Sequence, residues 1–125
     1  MHGVDPPIRC LLLAAGLGTR LKPLTNYKPK CLVDVGGRPI LQWWLEHLET
    51  IQCEKVIVNT HYHAGKVSSF LKNYKKTSMQ IIERYESQLL GTAGSLLTNA
   101  NFFQGSTGVL IHADNATDID LSRLI

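Results

Sequence analysis

Cysteine is scarce in this chain, and what there is forms no pair. Cys10, Cys31 and Cys53 stand about twenty residues apart, with no Cys-x-x-Cys among them. That excludes a disulfide framework and a zinc ribbon, and fits reduced, mostly buried thiols of a cytosolic protein. Long apolar runs are missing as well, for none approaches the roughly 20 residues that span a bilayer. The opening MHGVDPPIRC has neither a basic leader nor a long apolar stretch, so no signal peptide is read there. The expectation is a cytoplasmic protein without a membrane partner. Strong charge of either sign is absent: 13 Lys and Arg oppose 10 Asp and Glu, a net charge of +3. So small an excess gives no reason to expect nucleic acid as a partner. Low-complexity tracts, internal repeats and linkers are also lacking, and 125 residues make one domain's worth of core.

What is present is unevenly placed. Residues 8–14, IRCLLLA, read as a short buried strand bounded by Pro6-Pro7 and Gly16. Between Gly16 and Arg38 there follow five cations and one acid, Asp34. Within this stretch, 31–35 (CLVDV) reads as a brief extended segment closed by a Gly36-Gly37 turn. Pro39 suits the first turn of a helix over 39–52, with Ile40, Leu41, Trp44, Leu48 and Ile51 on its apolar face. Further strands are expected at 55–59, 79–84 and 108–113, and further helices near 64–74 and 92–100. Alternating strands and helices predict an α/β, Rossmann-like domain, its mostly parallel central sheet covered by helices on both faces. Ligands of such sheets bind outside the carboxyl ends of the strands. The glycine loop, the loops at 60–63 and 84–91, and Asp114 all follow strands and should meet at one edge. The closing TDIDLSRLI starts a helix and stops within two turns, so the chain reads as a single portion, 1–125, truncated at its C-terminus.

Glycines after a strand let the backbone approach a ligand and turn its amides toward anionic oxygens. The surrounding cations suit a polyphosphate better than a single carboxylate. Two common phosphate loops are excluded. Leu21 occupies the third glycine position after Gly16 and Gly18, and GxxxxGK[ST] is absent.

The longer string LAAGLGTRLKPLTNYKPKCLVDVGGRPIL, residues 13–41, resembles the signature of the sugar-phosphate nucleotidyltransferases, and LLGTAG (89–94) and VLIHADN (109–115) extend the likeness. The nearest branch is that of the mannose-1-phosphate guanylyltransferases. The resemblance covers the first half of that family's catalytic domain. It implies transfer of a nucleotidyl group from an NTP to a sugar 1-phosphate, releasing pyrophosphate, with Mg²⁺ as cofactor. Self-association is left open. An anion attacks an anion in this reaction, so positioning and electrostatic stabilisation dominate. By resemblance, Ala14, Ala15, Gly16, Leu17, Gly18, Thr19 and Arg20 contact the nucleotide, joined by Glu86, Gly91 and Thr92. The amides of Leu17, Gly18 and Thr19 would cradle phosphate oxygens. Arg20 offers a fork to the leaving pyrophosphate. Lys30, the family's Pro-Lys lysine, would meet the α-phosphate as charge builds. Asp114 matches the metal-binding Asp, a hard oxygen ligand beside phosphates. A second metal-binding Asp would lie beyond Ile125. Lys22 and Lys28 read equally as solvated charges or phosphate contacts.

Glu86 stands five residues before Gly91, where uridylyl- and thymidylyltransferases of the family carry Gln. An amide both donates and accepts, whereas a carboxylate only accepts. Guanine presents adjacent N1–H and N2–H donors, so Glu86 favours GTP. The alternative makes Glu86 a solvated loop residue and Gln88 the base reader. His61 and His63 lack companion ligands and are read as loop packing. Trp43 and Trp44 are read as core or interface, and His112 as packing. Competing functions are a uridylyl- or thymidylyltransferase of the same family, or a non-catalytic nucleotide-binding regulatory subunit.

Overall fold

A computed structural model describes residues 5–15, 23, 26–74 and 77–113. Its main sheet is built from β1 (Ile8–Leu13), β4 (Lys55–Thr60), β5 (Gln80–Tyr85) and β6 (Thr107–His112). All neighbouring pairs are parallel, in the order β5-β4-β1-β6. The connections carry α1 (Ile40–Thr50), α2 (Ala64–Asn73) and α3 (Gly91–Thr98). The expected α/β, Rossmann-like architecture is therefore present.

Helix placement follows from strand order. Crossovers between parallel strands are right-handed. From β1 the chain steps outward twice in one direction, through α1 to β4 and through α2 to β5, so both helices cover one face. From β5 it returns past β1 to β6, which puts α3 on the other face. The side chains agree. Cys10, Leu12, Val56 and Val58 share a core cluster with Leu41, Leu45 and Leu48 of α1 and Val67 of α2. Asn59, on the opposite pleat, reaches Ser95 of α3. Fully buried Leu11 and Ile57 lie on that second pleat too.

Four local expectations need correction. Residues 31–35 are not one extended segment: a 3-10 turn spans Lys30–Leu32, and only Asp34–Val35 is strand, β2. β2 pairs antiparallel with β3 (Arg38–Pro39) around Gly36-Gly37, whose φ values of +62° and +88° suit a two-residue hairpin turn. Pro39 is thus extended, with ψ 146°, and caps α1 instead of starting it. The helix expected over 92–100 runs from Gly91 to Thr98 and is followed by a 3-10 turn at Ala100–Phe103. On α1, Leu45 joins the buried face, so the apolar stripe is wider than the spacing of Ile40, Leu41, Trp44, Leu48 and Ile51 suggested.

Cys10, Cys31 and Cys53 are buried thiols that form no disulfide. Burial pushes the Cys10 thiol up and the Cys53 thiol to about 11, so both stay protonated and unreactive at neutral pH. Among the described residues, no helix is long and apolar enough to cross a membrane.

Candidate active site

Parallel strands end together, and the strand order reverses between β1 and β6. Open α/β sheets take their ligands at the carboxyl edge beside such a reversal. On one side of it Ala14 and Ala15 leave β1, both buried. On the other, Ala113 follows β6 and donates its N–H to the Leu13 carbonyl at 2.9 Å. Gly16, Leu17, Gly18, Thr19, Arg20 and Asp114, all expected site residues, lie outside the described residues, as does Lys22.

The neighbouring edge is held by one buried polar network. Asn59, near the end of β4, accepts the Ala14 N–H on Oδ1 at 2.6 Å. Because that backbone group can only donate, the Asn59 amide is oriented with Nδ2 facing away from β1. Nδ2 then donates to Glu86 Oε2 at 3.2 Å and approaches Ser95 Oγ at 3.4 Å. Ser95 in turn donates Oγ–H to the same Oε2 at 2.5 Å. Glu86 is 8% exposed, Asn59 2% and Ser95 1%, so the carboxylate is buried with two donors on one oxygen. The alternative of a solvated Glu86 does not fit: its carboxylate is bonded by Asn59 and Ser95. Gln88, the other candidate reader, is exposed.

The backbone around Glu86 is tied down as well. Its N–H donates to the Thr60 carbonyl at 2.7 Å, continuing the β4–β5 pairing past Tyr85. Its carbonyl accepts a bond of 2.7 Å from His61, which requires Nδ1 of that ring to carry the proton. The His61 ring stacks on Tyr85 with centroids 6.3 Å apart. His63 Nε2 lies 3.1 Å from the Asn26 carbonyl and ties the cation-bearing loop to the end of β4. Both histidines thus act as loop ties. Lys30 opens the 3-10 turn that packs against α1, half-buried, with Pro29 buried before it and Cys31 buried after it.

Gly91 begins α3 at φ +73°, a conformation that disfavours any side chain, and Thr92 follows it; both are exposed. They lie about one helical turn ahead of Ser95, the α3 residue that bonds the Glu86 carboxylate. Trp44 is core, whereas Trp43 donates Nε1–H to the Val35 carbonyl at 2.9 Å and stacks under Arg38. His112, read as packing, is exposed. Sequence reasoning missed Asn59 and Ser95. The available signal was the amide that closes the apolar run KVIVN, a polar group that must find partners once buried.

A model of the nucleotidyl transferase family matches residues 9–125. The chain belongs to that family. Among relatives, the mannose-1-phosphate guanylyltransferase catalytic subunit beta of Drosophila melanogaster is 35% identical over 120 residues, covering 94% of this chain and 32% of that protein. The N-acetylmuramate alpha-1-phosphate uridylyltransferase of Caulobacter vibrioides is 37% identical over 93 residues, 72% of this chain and 38% of that protein. Of solved structures, HddC from Yersinia pseudotuberculosis complexed with GMP-PN superposes with a TM-score of 0.79 at 27% identity, over 93% of this chain and 52% of that one. The chain spans about a third of the length of these two curated relatives.

The amide at 59 must donate to the carboxylate. Asn59→Asp would set two carboxylates against each other and remove the donor, so it should lower the unfolding free energy by about 2 kcal/mol or more. It should also cost more than Asn59→Ala. Chemical denaturation measures both, and an Asp variant as stable as the Ala variant would contradict this assignment.

Proposed function

We propose that this chain forms the nucleotide-binding part of an enzyme that joins GTP to a mannose-like sugar 1-phosphate. A phosphate oxygen of the sugar attacks the α-phosphorus, the bond from that phosphorus to the bridging α–β oxygen breaks, and pyrophosphate leaves. The carrying observation is Glu86. It is a buried acceptor-only group at the carboxyl edge of the sheet, bonded by Ser95 of α3. The likeness to the Drosophila guanylyltransferase and to HddC solved with GMP-PN supports the guanine preference. The likeness to the Caulobacter uridylyltransferase favours a second reading in which the base is uracil.

Charge accumulates on the phosphates during transfer, and this chain's cations answer it. Lys30 is assigned to the α-phosphate, Arg20 to the leaving pyrophosphate, and the amides of Leu17, Gly18 and Thr19 to phosphate oxygens. For a metal, the described residues gather no group of three or more His, Cys, Asp or Glu. A donor set of Asp114 completed by substrate phosphates fits Mg²⁺, which favours one or two carboxylates with phosphate oxygens. When bound there, Mg²⁺ would neutralise phosphate charge as a Lewis acid. We place such an enzyme in the cytoplasm.

Pyrophosphate release by the whole protein, with Mg²⁺, an NTP panel and several sugar 1-phosphates, tests the reading. GTP with mannose 1-phosphate should lead. Glu86→Gln should move the preference toward UTP or dTTP, and an unchanged ranking would remove Glu86 as base reader. Lys30→Ala should lower kcat by roughly 100- to 1000-fold, the cost of one preorganised donor in the transition state. A loss below about tenfold would take Lys30 out of the reaction.

A further inference from the structure

We propose that Ser95 and Asn59 are positioning residues that clamp the Glu86 carboxylate and thereby set the choice of base. The inference rests on the guanine-reading role given to Glu86 above. Both donors converge on the same oxygen, Oε2: Ser95 Oγ at 2.5 Å and Asn59 Nδ2 at 3.2 Å. Neither can easily turn away. The Asn59 amide is locked by the Ala14 N–H on its other end. Ser95 sits inside α3, where Asn99 caps its carbonyl with a side-chain bond of 2.8 Å and a backbone bond of 3.2 Å.

The consequence for recognition is geometric. A free glutamate has three torsions and presents its carboxylate plane in many directions, so ordering it on binding costs entropy. Held at Oε2, the plane is fixed before the ligand arrives, which leaves Oε1 aimed by the clamp. Among the described residues Oε1 has no hydrogen-bond partner. Adjacent N–H donors on a base then meet one acceptor oxygen, Oε1, already in place.

The clamp also decides what Glu86→Gln would do. Asn59 Nδ2 can only donate, so it selects the oxygen of the new side-chain amide and turns the amide NH₂ outward. The outward group becomes a donor, suited to a base carbonyl and opposed to the N–H edge of guanine. A single carboxylate-to-amide change is therefore read by the clamp as a switch of base class. Loss of the clamp would let the amide turn over and blur that switch.

The test compares GTP, ITP and UTP as Mg²⁺ complexes on the whole protein, using kcat/KM ratios, since ITP lacks only the N2 amine. Ser95→Ala should lower the GTP-over-ITP preference by about tenfold, the scale of one bond to a charged group. Ser95→Thr, which keeps the hydroxyl, should retain most of that preference. Should the Ala variant fail to fold, Ser95→Cys keeps the shape with a weak donor and should show the same fall. If the Glu86→Gln enzyme changes its base ranking while the folded Ser95 variants keep the GTP-over-ITP ratio of the parent, the clamp is refuted and the reading of Glu86 stands. If the Glu86→Gln enzyme keeps the parent ranking, both fall.

Discussion

A buried amide with one end committed to the backbone is the constraint from which the rest of the site follows. Asn59 takes the Ala14 N–H on its oxygen, so its nitrogen must face β5 and α3. That one orientation joins the exit of β1, the end of β4, the loop after β5 and the first turns of α3. Each partner is buried, and a missing bond would leave a polar group stranded at a cost of roughly 1–3 kcal/mol. The network thus couples the strand that launches the glycine loop to the residue assigned to the base.

The sheet topology explains why those groups meet. Parallel strands bring every loop that follows a strand to one edge, and the order β5-β4-β1-β6 reverses beside β1. The loop after β1 and the chain leaving β6 flank the reversal, where the phosphates are assigned. The loop after β5 lies two strands away, beyond β4, where the base is assigned. A nucleotide lying along this edge spans both assignments. Such a division suits a family whose members differ in base and sugar while sharing phosphate chemistry, as the guanylyl- and uridylyltransferases similar to this chain do by name.

Much of this was legible in the residues. Apolar runs such as CLLL and VIV marked the buried strands, and the paired glycines 36 and 37 marked a turn, which the β2–β3 pairing makes a hairpin with both at positive φ. The family signature marked Lys30, Glu86 and Gly91, but their surroundings were not in the string. What holds Glu86 was hidden because Ser95, nine residues on, is brought against it by a helix whose facing depends on the sheet. Asn59 reads as the end of a strand, since its partners are 45, 27 and 36 residues distant. The 3-10 turn at Lys30–Leu32 was missed because CLV is compatible with strand and turn alike, and packing against α1 decides between them.

On these assignments, nucleotide lies along the carboxyl edge, with its base at Glu86 and its phosphates at the loop after β1. Backbone amide shifts of the protein titrated with GDP in the presence of Mg²⁺ test it most directly. The largest changes should fall on Ala15 through Arg20, on Lys30, and on Glu86 through Thr92, with Gln80 and Thr107 at the amino edge unmoved. Changes concentrated at the amino edge, or confined to the glycine loop with Glu86 through Thr92 silent, would contradict it.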